Sequence, residues 1–140
     1  MNGLIISGHG SFASGLRSSV KLIAGDQPGV EYVDFQEQDT VADLERNLKA
    51  ALSKLEDCDG VLFLCDLAGG SPFKTAVLIS GSRRNCAVIG GANLGMIIET
   101  ALIKDMHPID TLKNLAIQTG KDAIKSFEKI DRPKKEGAGI

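Results

Sequence analysis

This chain carries no disulfide framework, no membrane span and no excess of basic charge. Its three cysteines, Cys58, Cys65 and Cys86, show no CxxC spacing, which predicts reduced, mostly buried thiols rather than disulfides or a zinc site. No stretch approaches the roughly 20 apolar residues that a membrane helix needs. The start, MNGLIISGHG, lacks the basic head and long apolar run of a signal peptide, so the expectation is a cytoplasmic protein. Sixteen Lys and Arg against 18 Asp and Glu leave a formal net charge of -2, which argues against a nucleic-acid or anionic-membrane surface. Arg83-Arg84 and Lys134-Lys135 are short and read as solvated turns or tail. There is no internal repeat and no interdomain linker. With 140 residues, 43% of them hydrophobic, the chain suits one domain with its own core. That domain is expected over 1–131, with the Lys-, Gly- and Pro-rich stretch 132–140 as a flexible tail.

What is present is an alternation of apolar runs with helix-period segments. Leu4-Ile5-Ile6 predicts a short buried strand ending at Ser7-Gly8, and Phe12, Leu16, Val20 and Ile23 then recur at helical spacing. Val30 to Phe35 reads as a second strand. Thr40 with Asp43 forms a capping-box start, and Val41, Leu44, Leu48, Ala51, Leu52 and Leu55 form one apolar stripe behind it. The run Val61 to Cys65, apolar on both faces, belongs in the middle of a parallel sheet. Ser71-Pro72 predicts a helix N-cap followed by proline at the first helical position. Ala87-Val88-Ile89 is a fourth strand. A helix with Leu94, Ile97, Ile98, Ala101 and Leu102 inward follows it, and another runs from His107-Pro108 to about Gly120. Ala123 to Ile130 fits either a last strand or a helical continuation. The fold class is therefore α/β: a doubly wound, mainly parallel sheet with helices on both faces. In such sheets ligands bind at the carboxyl ends of the strands, where the strand order reverses.

The loops expected at those ends hold the reactive residues. In Ser7-Gly8-His9-Gly10-Ser11, glycines flank a histidine and a helix follows at once, so unpaired N–H groups face any anion there. Histidine is nucleophilic and partly neutral near physiological pH. Asp66 ends the central strand, where a carboxylate needs a partner. If the first and third strands are neighbours, Asp66 can bond one ring nitrogen of His9 and leave the other free to attack, the orienting role of the aspartate in a serine-protease triad. Gly69-Gly70-Ser71 opens a second helix whose amides and hydroxyl suit phosphate oxygens. These features describe a transient phosphohistidine site. Gly10, Ser11, Gly69, Gly70 and Ser71 are its expected phosphate-binding residues, and neither metal nor cofactor is called for.

Two other readings share these residues. Gly8-x-Gly10-x-x-Ala13 with Asp34 fits a dinucleotide-binding fingerprint, but puts His9 where an inert residue would serve best and gives Asp66 no task. A Ser71-His9-Asp66 hydrolase triad lacks the nucleophile elbow. His107, before Pro108, is a helix-end residue with no assigned role.

GHGSFASGL around His9, LFLCDLAGGSPF around Asp66 and GGANLGMIIE from Gly90 to Glu99 together resemble the IIA component of the mannose family of the bacterial phosphoenolpyruvate-dependent sugar phosphotransferase system. The resemblance runs from about Leu4 to beyond Gly120. It implies a phosphotransferase with a phosphohistidine intermediate at His9, accepting from the phosphocarrier HPr and donating to the IIB component, which supplies the membrane components IIC and IID. It implies that Asp66 bonds the histidine and that Ser71 contacts phosphate. It also implies a homodimer in which a C-terminal strand is exchanged as an antiparallel edge, making Ala123–Ile130 a strand. Some members have a hydroxyl residue after the aspartate, where this chain has Leu67. The phosphotransfer subunit of dihydroxyacetone kinase is a related alternative. It shares the fold and the histidine, but GGSPF in the third loop sides with the sugar-transport class.

Overall fold

A computed structural model describes residues 1–130. Four strands, β1 (Asn2–His9), β2 (Val30–Phe35), β3 (Gly60–Cys65) and β4 (Cys86–Ile89), alternate with five helices. The helices are α1 (Phe12–Ala24), α2 (Val41–Lys54), α3 (Ser71–Ser80), α4 (Leu94–Ile103) and α5 (Ile109–Asp122). The strands form one parallel sheet in the order β2-β1-β3-β4.

The two faces of the sheet follow from side-chain alternation along its central strands. Leu4 and Ile6 of β1, with Leu62 and Leu64 of β3, pack on Val20, Met96, Ile97, Leu112 and Ala116 of α1, α4 and α5. Ile5, Val61, Phe63 and Cys65 face the other way, onto Leu44, Leu48 and Ala51 of α2 and Ala76 and Ile79 of α3. β3 is buried throughout, as an apolar run covered on both faces must be. The doubly wound parallel sheet is thus as the sequence pattern predicts. The order reverses between β1 and β3, so the carboxyl ends of those two strands open onto the switch-point crevice.

Several local expectations are corrected. β1 extends to His9, because Ser7 is fully buried and spends its hydroxyl on the Val33 carbonyl at 2.8 Å. His9 therefore stands on the last residue of a strand rather than free in a loop. Ser71 is the first helical residue of α3, not its cap. Gly70 is the N-cap, and no side chain caps that helix. Ile23, Val41 and Leu102, expected on inward stripes, are exposed. Of the three thiols, all free, only Cys65 is fully buried; Cys58 and Cys86 are half-buried. Burial, with the Asp66 charge adding to it, pushes the Cys65 thiol up to about 12, so it stays protonated and inert. After α5 the chain from Ile124 to Ile130 makes neither strand nor helix with the rest of the protein. The expected tail, 132–140, lies outside the described residues.

The amino end of the sheet holds a feature the sequence pattern did not signal. Lys104, in a short 3-10 turn after α4, is buried, and its ammonium donates to the Asn2 carbonyl at 2.8 Å and to Asp105 at 3.2 Å. Asn2 in turn donates from its side chain to the Lys104 and His107 carbonyls, both at 2.7 Å. This cluster ties the first strand to the α4–α5 connection, at the opposite end of the sheet from His9.

Candidate functional site

His9 and Asp66 meet at the switch point because their strands are neighbours in register. Ser7 pairs with Cys65, and the Asp66 N–H donates to the Ser7 carbonyl at 3.2 Å, which sets Asp66 beside the last residues of β1. Asp66 Oδ2 accepts two hydrogen bonds from His9, one from its backbone N–H and one from ring Nδ1, each 2.8 Å long. Its other oxygen accepts the Leu67 N–H at 2.7 Å. An ionised carboxylate has no proton to give, so Nδ1 carries the hydrogen, and a neutral ring held this way has its lone pair on Nε2. The His9 side chain is 47% exposed, against 16% for Asp66. The imidazole is therefore about half open to solvent while its bonded partner is sheltered. Desolvation works to raise the Asp66 pKa, but the His9 backbone N–H, the His9 ring and the Leu67 N–H outweigh it and hold the carboxyl below its ordinary value.

The two glycine loops shape the space around Nε2. At Gly70 an added Cβ would lie 2.8 Å from His9 Cε1 and 3.6 Å from Nε2. Only glycine lets this loop lie against the imidazole without crowding it. Gly10, at φ +60°, turns the chain so that its N–H reaches the Phe35 carbonyl at 2.7 Å. Behind the Asp66 loop, the Gly91 N–H donates to the Asp66 carbonyl at 3.1 Å and the Ala92 N–H to the Cys65 carbonyl at 2.9 Å. Gly90 packs so closely on Ala68 that a Cβ would sit 2.6 Å from its Cα. The GGAN segment thus braces the loop that carries Asp66, while Asn93 caps α4 through the Met96 N–H.

The backbone donors expected to face an anion divide into two groups. Gly10 N–H is engaged by Phe35, and Gly70 N–H donates to the Leu67 carbonyl at 3.0 Å. These two residues give the site its shape but no free amide. The N–H groups of Ser11, Gly69 and Ser71 have no partner among the described residues. Ser11 Oγ accepts from Gln36 Nε2 at 3.2 Å, which leaves its own hydroxyl hydrogen to donate. Gln36 is a contributor that sequence reasoning missed, since a polar residue just past a strand carries no local signal. Leu67 is 61% exposed and offers the site only its backbone.

The rival readings lose their geometry here. The Asp34 carboxylate, the ribose ligand of a dinucleotide site, accepts the Ser14 N–H at 2.9 Å and so caps α1. Ser71 makes no hydrogen bond to His9 among the described residues. Among the described residues no group of three or more His, Cys, Asp or Glu side chains converges as metal ligands would, and no helix of theirs is long and apolar enough to cross a membrane.

Comparison with known proteins places this arrangement. The family described as "PTS system fructose IIA component" matches residues 3–117. The chain is 35% identical over 126 residues to the mannose-specific EIIAB component of the phosphotransferase system of Escherichia coli, covering 89% of this chain and 39% of that protein. It thus spans about two-fifths of the length of that relative. It is 27% identical to the fructose-specific EIIA component of Bacillus subtilis, over 96% of this chain and 92% of the other. Among solved structures, the phosphotransferase component EIIA of Streptococcus agalactiae superposes with a TM-score of 0.83 at 31% identity, covering 90% of this chain and 97% of the other. The mannose/sorbose-specific IIA subunit of Enterococcus faecalis gives 0.81 at 28% identity, over 96% and 98%. With its sheet order, its two-loop site and these matches in agreement, the chain belongs to the mannose family of IIA components of the sugar phosphotransferase system.

Proposed function

We propose that this protein carries phosphoryl groups on His9, accepting them from phosphorylated HPr and passing them to a IIB component, in a cytoplasmic relay feeding the membrane components IIC and IID. The observation that carries the reading is the double hydrogen bond from His9 to Asp66 Oδ2, which fixes both backbone and ring and leaves Nε2 without a partner among the described residues.

In the proposed step the Nε2 lone pair attacks the phosphorus of the donor's phosphohistidine in line. The new Nε2–P bond forms as the donor's N–P bond breaks, and that bond's electron pair leaves with the donor imidazole. His9 keeps its Nδ1 hydrogen, so the phosphorylated ring carries positive charge, which the Asp66 carboxylate compensates. The free amides of Ser11, Gly69 and Ser71, with the Ser11 and Ser71 hydroxyls, are assigned to the phosphoryl oxygens, and Gly10 and Gly70 to the walls. Fixed dipoles of this kind stabilise transferring charge without reorganisation, so the step calls on no metal or cofactor. Transfer to IIB runs the same chemistry in reverse.

The reading also assigns a homodimer in which Ala123–Ile130 adds to the partner's sheet as an antiparallel edge strand. Three exposed apolar side chains on this segment support it: Ile124, Phe127 (90% exposed) and Ile130. Such a stretch is poorly placed in water and well placed against a second copy.

Mixing the protein with HPr phosphorylated from phosphoenolpyruvate, and following ³¹P resonances, tests the reading. It expects an acid-labile, base-stable phosphoryl group on the tele nitrogen of His9 that disappears when IIB is added. Absence of label, or label on Ser11 or Ser71, overturns it.

Gly70→Ala is the sharpest probe of the loop geometry. Gly70 has φ -74° and ψ 171°, which alanine adopts freely, so the backbone is not strained. The added methyl instead pushes on Cε1 beside the attacking nitrogen. Displacing a reacting group by about 1 Å costs on the order of 10²-fold, and that loss of phosphorylation rate is expected with unchanged far-UV circular dichroism. A rate within twofold of wild type would show that the loop has room to give.

A further inference from the structure

The phosphotransfer reading leaves one neighbour of His9 without a task. Phe35 ends β2 directly opposite His9 in the strand register. Its carbonyl accepts the Gly10 N–H, and Gly10 and Phe35 form an isolated antiparallel bridge where the chain turns away from the sheet. The backbone of His9 is thus held at its own N–H by Asp66 and one residue later by Phe35. The Phe35 ring lies with its centroid 5.9 Å from that of the imidazole, the planes tilted by 58°, inside the range in which aromatic pairs attract. Phe35 is half-buried and packs against the core cluster beneath α2 and α3, so its ring is itself held from below.

The Asp66 hydrogen bond at Nδ1 and the covalent tether at Cγ hold one edge of the imidazole and leave the ring free to tilt about it. That tilt carries Nε2, the atom opposite the held edge, through the widest arc. Gly70 has no side chain to stop that motion. The aromatic side chain beside the imidazole is Phe35.

We propose that Phe35 is a positioning residue for His9: its ring is the wall that, with the Asp66 hydrogen bond, holds Nε2 toward the Gly69–Ser71 loop. The inference rests on His9 being the phosphoryl acceptor, and it specifies how that nitrogen is aimed. It predicts a loss in the bound step rather than in donor binding, since Phe35 acts on the imidazole and not on HPr.

The test compares wild type with Phe35→Leu, which keeps apolar volume but removes the flat ring, with Phe35→Met as a second truncation, and with Phe35→Tyr, which restores the ring. Two readouts are taken on the full chain. One is the ¹⁵N spectrum of His9, which reports the tautomer and its averaging. The other is the rate of phosphorylation by phospho-HPr over a range of donor concentrations. The expected result is a kcat about 10-fold lower in Phe35→Leu and Phe35→Met, with KM within twofold of wild type. Their ¹⁵N shifts should move from the Nδ1–H form toward an average, and Phe35→Tyr should restore both. Lowered thermal stability with unchanged shifts and kcat would overturn the proposal by making Phe35 a core residue only. A rise in KM alone would overturn it by making Phe35 a donor contact. If wild type accepts no phosphoryl group, the functional reading fails, and the ¹⁵N comparison still decides whether Phe35 holds the ring.

Discussion

His9→Gln is expected to abolish phosphoryl acceptance, lowering the rate by more than about 10³-fold, as removal of a catalytic nucleophile does. Glutamine reaches a similar distance and is polar, but its amide nitrogen has no available lone pair and cannot attack phosphorus. The surroundings survive the change. Asp66 keeps the backbone N–H of residue 9 and that of Leu67, and the lost ring bond lies at a half-exposed side chain. Stability should therefore fall by no more than about 1 kcal/mol, measurable by urea unfolding. The hydroxyls of Ser11 and Ser71 are not set up to substitute, because neither donates to a base among the described residues. The check is radiolabel from phosphoenolpyruvate through HPr, with the variant far-UV spectrum as a folding control. Label persisting in His9→Gln would move the acceptor elsewhere and end the present reading.

The elements that build this site differ in how far the sequence exposes them. β3 was legible because five consecutive apolar residues, Val61 to Cys65, have no stable place except between two helical layers. The capping box at α2 was legible because its chemistry is local: Thr40 and Asp43 exchange their bonds across three residues. His9 and Asp66 were legible as candidates, since glycines and a strand end single them out. Their contact was conditional on β1 and β3 being neighbours, and strand order is not a local property. The N-cap of α3 was misplaced by one residue because serine before proline is the usual signal, whereas here Gly70 takes the cap and Ser71 starts the helix. Lys104 was invisible, because a lysine on a helical pattern reads as solvated until tertiary structure supplies the Asn2 carbonyl and Asp105. The occupied amides of Gly10 and Gly70 were likewise out of reach: each is claimed by a carbonyl whose position depends on how its loop closes.

Asp66→Asn should lower the phosphorylation rate by roughly 10²- to 10⁴-fold, the upper end being what the same change costs in a serine-protease triad. The reason lies in how many donors the carboxylate serves. Oδ2 takes two from His9 and Oδ1 takes one from Leu67, so both oxygens act only as acceptors. An asparagine has one acceptor and one donor end. With its oxygen toward His9, its NH₂ opposes the Leu67 N–H, and the ring keeps the productive tautomer but loses the negative charge that stabilises the phosphorylated imidazole. With its NH₂ toward His9, it opposes the backbone N–H and asks Nδ1 to accept, which puts the proton on Nε2 and removes the nucleophile. Either orientation slows transfer, and either leaves one donor facing another, at a cost to stability of about 1–3 kcal/mol. The pH dependence separates charge from hydrogen bonding. Because the Asp66 pKa is lowered in the folded protein, its contribution to stability is in place above the unfolded carboxyl value, about 3.9. That contribution is lost as pH falls through the lower folded value. Urea unfolding compared between pH 7 and pH 3 should therefore show a smaller stability difference in Asp66→Asn than in wild type. Equal pH slopes with a normal rate would remove Asp66 from both the energetics and the chemistry of the site.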